Sequence, residues 1–172
     1  MNWSECYWHK VPVMKSRIEE LAKRTRPGRV LDLGCNDGQL SQCIFEMGNR
    51  EVIGVDVVEE YVEKSKSSFS GPQFIHADGE SLPFPDGHFD TVVAAELLEH
   101  LGKNQGKVLS ELHRVSRGHM LWSLPIGEYW LGEPTHQWRL EGCSIAHDTA
   151  EMHPLPKDII IIEWIRARQL TP

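Results

Sequence analysis

The sequence predicts a doubly wound α/β fold around a mostly parallel sheet, and three observations carry that prediction. Short apolar runs of strand length recur along the chain and alternate with stretches whose apolar residues fall at helical spacing. The first run, Val30, Leu31 and Leu33, is of the kind that sits in a parallel strand covered on both faces. That run stops at Gly34 and Gly38, after which an amphipathic stretch begins, so a strand, a tight turn and a helix follow one another. At 172 residues the pattern fits one domain over 1–172. It comprises a cap and helix over 1–28, a core over 29–125, and a loop with a closing hairpin over 126–172.

The composition bounds the function. Forty per cent hydrophobic and 25% charged residues describe an ordinary globular chain. A net charge of −7 argues against a broad nucleic-acid-binding face, which needs clustered Lys and Arg. No apolar run is long enough to cross a bilayer, and no signal peptide opens the chain. Cys6, Cys35, Cys43 and Cys143 show no C-x-x-C spacing or secreted framework, so reduced thiols in the cytosol are expected.

Taken in order, Met14, Ile18 and Leu21 form one face of a first helix, with Pro12 at its start and Pro27-Gly28 beyond its end. After the first strand and turn, Leu40, Ile44 and Met47 mark a second helix closed by Gly48. Glu51 to Val57 reads as the second strand and residues 59–68 as a solvated helix with Tyr61 and Val62 inward. Gln73 to Asp78 is the third strand and Phe89 to Glu96 the fourth, running into a helix that holds His100 near its start. Val108, Leu109, Leu112 and Val115 face inward from the next helix, and His119 to Pro125 is the fifth strand. The tail alternates as two strands, Ser144 to His153 and Asp158 to Arg166.

The glycine turn Asp32-Leu33-Gly34-Cys35-Asn36-Asp37-Gly38 is a ligand floor, since a helix start presents free N–H groups above it. It lacks the G-x-G-x-x-G that cradles a pyrophosphate, and its acids repel phosphate and suit a cationic ligand. Asp56 ends the second strand roughly 20 residues later, where an acid can accept both hydroxyls of a ribose. Asp78 ends the third strand, again at the edge where open α/β sheets bind ligands.

The turn resembles the first motif of the class I S-adenosylmethionine-dependent methyltransferases. The stretch from Asp78 to Asp90, reading D-x-x-x-L-P-F-P-D-x-x-F-D, is similar to one in the ubiquinone-biosynthesis-like (methyltransferase type 11) group. Glu96-Leu-Leu-Glu-His100 is similar to an acid-Leu-Leu/Val-Glu-His sequence of the same group. The resemblance implies a Rossmann-like methyltransferase fold with a terminal antiparallel hairpin, and S-adenosyl-L-methionine as cofactor. It implies that Asp32 holds the cofactor's amino group and that Gly34 lies under its methionine part, with Cys35, Asn36 and Gly38 completing the turn. Asp56 and Val57 would take the ribose, and Asp78, Gly79 and Glu80 the adenine. Ala95 and Glu96 would touch the methionine end.

His100 and His136 are the candidate bases, because an imidazole titrates near neutrality. Tyr7 and Trp8 near the start, with Trp130 and Trp138 after the fifth strand, form two aromatic clusters. They suit either the walls of an acceptor pocket or plain cover for the sheet. The Gly127 to Cys143 connection holds Gly132 and Pro134, which leaves little room for a helix and implies reduced substrate-side cover.

No cysteine follows a proline, as C5-pyrimidine methylation requires, and no Asn/Asp-Pro-Pro-Tyr element or Asp-Asn pair at a strand end is present. Cys143, His147 and His153 are the best metal candidates among nine histidines but do not converge on alternating strand positions, so no metal is expected. The expectation is a methyltransferase acting on a small-molecule acceptor. Its rivals are a non-catalytic cofactor-binding partner subunit and a nicotinamide oxidoreductase.

Overall fold

A computed structural model of the chain describes residues 12–48, 51–125, 149–155 and 159–165. Helix α1 (Pro12–Arg24) leads into strand β1 (Arg29–Leu33), helix α2 (Gln39–Glu46), strand β2 (Glu51–Asp56), helix α3 (Glu59–Ser68) and strand β3 (Gln73–His76). Strand β4 (Thr91–Ala95) precedes two 3-10 turns, helix α4 (Gln105–Val115) and strand β5 (His119–Pro125). Strands β6 (Thr149–Leu155) and β7 (Ile159–Ile165) close the chain's described part.

The strands form one seven-stranded sheet in the order β3-β2-β1-β4-β5-β7-β6. Strands β1 to β5 are parallel, whereas β7 runs antiparallel to both β5 and β6. The expected terminal hairpin is therefore present. The order reverses between β1 and β4, and an open sheet splays at such a point to leave a crevice above its strand ends.

Side-chain alternation sorts the sheet's two faces. Val30, Val52, Val93, Leu121 and Ile161 pack with Ile18, Leu21, Cys43, Ile44 and Val62 from α1, α2 and α3. Leu31, Leu33, Ile53, Val55, Val92 and Met120 pack on the other face with Val108, Leu112 and Val115 of α4. Asp32 shares the face of Val30 by this period, so it points toward α2.

Four expectations are corrected. Helix α2 ends at Glu46, so Met47 caps it and stands 39% exposed instead of continuing the apolar face. Val62 is fully buried, but Tyr61 is 38% exposed, because adjacent helical residues point about 100° apart and only one faces the core. Strand β3 stops at His76 and β2 at Asp56, which leaves Val57, Ala77 and Asp78 just past the strand ends. His100 lies in a 3-10 turn, Leu98–His100, and the α-helix starts only at Gln105.

The proline-rich loop before β4 is held by α4. Arg114 donates to the carbonyls of Leu82 (3.1 Å) and Phe84 (2.7 Å) and to Asp86 (2.9 Å). Glu111 accepts the Leu82 N–H at 2.8 Å. Pro83 and Pro85 have no N–H to satisfy, so the loop's carbonyls are what the arginine collects.

Gly38 sits just before α2 at φ 81°, in the left-handed region. A Cβ there would lie 2.8 Å from Phe74 Cζ and 2.9 Å from Ser65 Oγ. We expect Gly38→Ala to destabilise the fold by roughly 2–4 kcal/mol, from backbone strain together with overpacking. Urea denaturation measures it, and a variant within about 0.5 kcal/mol of the parent would contradict this geometry.

Candidate functional site

Two cavities open above the carboxyl ends of β1, β2 and β4, and both touch Gly34. The first, of about 240 Å³, is walled by Met14, Arg17 and Ile18 of α1, the turn Gly34 to Asp37, Gln39 and Leu40 of α2, and Asp32, Ala95 and Glu96. The second, of about 230 Å³, is walled by Asp56, Val57, Ala77, Asp78, Gly79 and Glu80 on one side. The rest of its wall is Leu33, Leu97, His100, Leu101, Asn104 and Val108. Of the twelve expected cofactor residues only Gly38 lines neither cavity; its part is to turn the chain into α2. One elongated ligand laid across Gly34 would fill both.

Each acid is placed by the chain around it. Asp32 is 1% exposed and accepts a 2.6 Å hydrogen bond from Ser41 Oγ of α2. Burial pushes its carboxyl up to about 6, an effect the Ser41 bond reduces and the nearby Asp56 charge increases. A cationic group beside Asp32 would reverse that penalty. Asp56 accepts the Asn36 N–H on Oδ2 and the Val58 N–H on Oδ1, each at 2.9 Å. Each oxygen keeps lone-pair capacity for a further donor.

Asn36 carries a positive φ of 48°, which aims its N–H at Asp56, and Ser65 Oγ holds its carbonyl at 3.0 Å. Asp37 is engaged by Gln39 Nε2 at 2.8 Å and Lys64 Nζ at 3.5 Å. Asp78 Oδ1 accepts the Glu80 N–H at 2.9 Å, and Glu80 pairs with Lys107 at 3.0 Å. Burial pushes the Cys35 thiol far up, so Cys35 is no nucleophile at neutral pH.

Glu96 also has a positive φ of 48°, and its N–H donates to the Ser123 carbonyl at 3.0 Å. Its carboxylate pairs with Arg17. The pairing is an ion contact between Arg17 Nη1 and Glu96 Oε2, while Arg17 Nε and Nη1 and Glu96 Oε1 are buried with no hydrogen-bond partner. Arg17 was not among the expected site residues. Its signal lies in the helical stripe itself, since 14, 17, 18 and 21 share one face and a charge occupies a position that should be apolar. Glu99 was likewise passed over as part of a motif, yet it is fully buried.

His100 is exposed and lines the second cavity, on the side of Asp56 and Asp78, and not the first with Glu96. His136, Tyr7, Trp8, Trp130 and Trp138 lie outside the described residues, as do Cys143 and His147. Among the described residues no group of three or more His, Cys, Asp or Glu is arranged to hold a metal. None of the described helices is long and apolar enough to cross a membrane.

The donor set suits an organic zwitterion joined to a nucleoside: acid at Asp32, cation at Arg17, diol acceptor at Asp56. Residues 31–120 match a family profile described as a methyltransferase domain. This chain belongs to that methyltransferase family, in the class I group that uses S-adenosylmethionine. It is 33% identical over 116 residues to a probable S-adenosylmethionine-dependent methyltransferase of Mycolicibacterium smegmatis, covering 66% of this chain and 42% of the relative. It is 34% identical over 106 residues to demethylmenaquinone methyltransferase of Thermus thermophilus, covering 59% of this chain and 48% of the relative. The chain thus spans less than half the length of these curated relatives. Magnesium protoporphyrin IX methyltransferase of Synechocystis, solved with S-adenosylhomocysteine, shares the fold at a TM-score of 0.67 and 20% identity, covering 93% of this chain and 84% of that one.

Proposed function

We propose that this chain transfers a methyl group from S-adenosylmethionine to a nucleophilic O, N or C atom of a small-molecule acceptor. The observation that carries the reading is the placement of a buried carboxyl, Asp32, and a buried guanidinium, Arg17, in one cavity, with Asp56 in the adjoining one. When bound, S-adenosylmethionine supplies a methyl group already activated by a sulfonium. Asp32, oriented by Ser41, receives the ammonium, and Arg17 receives the carboxylate. Asp56 accepts both ribose hydroxyls, while Asp78 and the backbone of Gly79 and Glu80 take the adenine. Ala95 and Glu96, which line the first cavity, would flank the methionine part.

With the donor activated in advance, the chain's contribution is positioning, which can lower the barrier by roughly 7–11 kcal/mol. His100 serves as base only for an acceptor that reaches it from the second cavity. Otherwise it is a wall of the nucleoside site. A small acceptor is supported by the similarity to demethylmenaquinone methyltransferase of Thermus thermophilus.

Thermal-shift titration with S-adenosylhomocysteine beside NAD tests the reading, followed by an acceptor screen read by mass spectrometry as a gain of one methyl group. We expect stabilisation by S-adenosylhomocysteine, none by NAD, and methyl transfer to at least one acceptor. Stabilisation by NAD alone would replace the reading with an oxidoreductase. Cofactor binding without transfer to any acceptor would favour a non-catalytic partner subunit.

A further inference from the structure

Glu99 is a carboxylate that nothing in the proposed transfer uses. It is 0% exposed, and neither of its oxygens has a hydrogen-bond partner on another residue. A buried carboxylate without donors is strongly destabilised in its ionised form, so such a group is neutralised by a proton or by a nearby cation. The charged groups that act on it are Glu96, three residues back on the same segment, and Arg17 from α1. Glu96 opposes its ionisation and Arg17 favours it. Arg17 therefore stands against two acids, is paired with one of them, and has a buried Nε still unpartnered. Among the described residues it is also the only Lys or Arg on the wall of the first cavity.

We propose that Glu99 takes up a proton from solvent when a ligand carboxylate binds Arg17, so that loading of the methionine end of the site is coupled to protonation of this buried acid. This rests on the reading that Arg17 holds the cofactor's carboxylate. The balance is simple: Arg17 stays cationic, a new anion arrives beside it, and the Glu99 carboxylate becomes a carboxylic acid with one proton from water. Arg17 then no longer compensates Glu99, which takes no hydrogen bond from any other residue.

The ordinary titration of Glu99 supports the coupling. Burial pushes its carboxyl up to about 7, with a backbone hydrogen bond within Glu99 itself working against the rise, Glu96 adding to it and Arg17 holding it back. Near neutral pH the group is thus partly ionised before binding, and removal of Arg17's influence shifts it further up. A shift of about one unit at pH 7.5 corresponds to uptake of roughly half a proton. At that pH Asp32, at about 6, is already ionised, so an ammonium entering beside it releases little.

Calorimetry with S-adenosylhomocysteine at pH 7.5, in buffers of different ionisation enthalpy, counts the protons. We expect net uptake, and a Kd that weakens about threefold to tenfold between pH 7 and 9. Glu99→Gln should bind at pH 6 about as well as the parent, lose the uptake at pH 7.5 and keep only the smaller weakening toward pH 9 that deprotonation of the ligand's own ammonium gives. Infrared difference spectra of the unmodified protein give a second readout, a protonated-carboxyl band gained on binding. Binding without uptake, or uptake that persists in Glu99→Gln, would overturn the role of Glu99. Absence of binding at every pH would overturn the cofactor reading, and the proposal with it.

Discussion

Asp56→Ala is expected to remove the thermal stabilisation by S-adenosylhomocysteine. The carboxylate ends β2 with one oxygen on the Asn36 N–H and the other on the Val58 N–H. Those two bonds fix its plane, and the remaining lone pairs face the cavity that Val57, Asp78 and Gly79 share with it. A ribose diol would donate both hydroxyls to that plane, and each charge-assisted bond contributes roughly 1.5–3 kcal/mol. Loss of both weakens binding at least about a hundredfold. The protein itself also loosens, because Asn36 holds a left-handed backbone that Asp56 helps to secure. Asp56→Asn separates the two effects: it keeps an acceptor for one backbone N–H yet loses the charge, and should retain most of the stability but little of the binding. If Asp56→Ala bound S-adenosylhomocysteine with parental affinity, the nucleoside would have to lie elsewhere.

How much of this was legible in the sequence follows from what local pattern can carry. Val30, Leu31 and Leu33 announce a covered strand because both faces of a parallel strand are apolar, and the structure has them all buried. Asp56 and Asp78 were readable because the ends of parallel strands meet at one edge, whatever the helices between them do. Pattern fails where an element stops. Met47 continues the spacing of Leu40 and Ile44 on paper, but Gln39–Glu46 has already ended and the side chain turns to solvent.

Tyr61 was misplaced for another reason, since adjacent helical residues cannot both face the core, and the smaller Val62 took the inward position. Arg17 was hidden by the same stripe that revealed α1. An apolar face is found by counting its apolar members, so the charge set among Met14, Ile18 and Leu21 passed as noise. Glu99 could not be recognised, because its burial depends on how the segment after β4 folds back, and that is tertiary. The aromatic clusters at Tyr7, Trp8, Trp130 and Trp138 fall outside the described residues.

Asp32→Asn should raise stability while lowering affinity, a pair of opposite signs that a merely structural residue would not produce. Asp32 is fully enclosed and its carboxyl is pushed up to about 6, from the usual value of 3.8, chiefly by burial. An acid with a raised folded value is protonated in the folded state before it is in the unfolded one. Its penalty is therefore absent near pH 4, grows as pH rises through 6 and is constant above that, at about 3 kcal/mol. An asparagine carries no such charge and its carbonyl still accepts from Ser41, though a buried amide N–H takes back about 1 kcal/mol. The net gain at pH 8 is about 1–2 kcal/mol, or about 3–6 °C in Tm for a chain of this size, and toward pH 4 it reverses to a loss of about 1 kcal/mol, because the amide's cost remains when the charge penalty is gone. S-adenosylhomocysteine affinity moves the other way, by about tenfold to a hundredfold, because the ammonium loses its counter-charge. Calorimetric scans at pH 4 and 8 with a binding titration at pH 8 measure both. An unchanged affinity would mean that the acid does not meet a cation, and a Tm lower at pH 8 than the parent's would mean that its charge is already compensated.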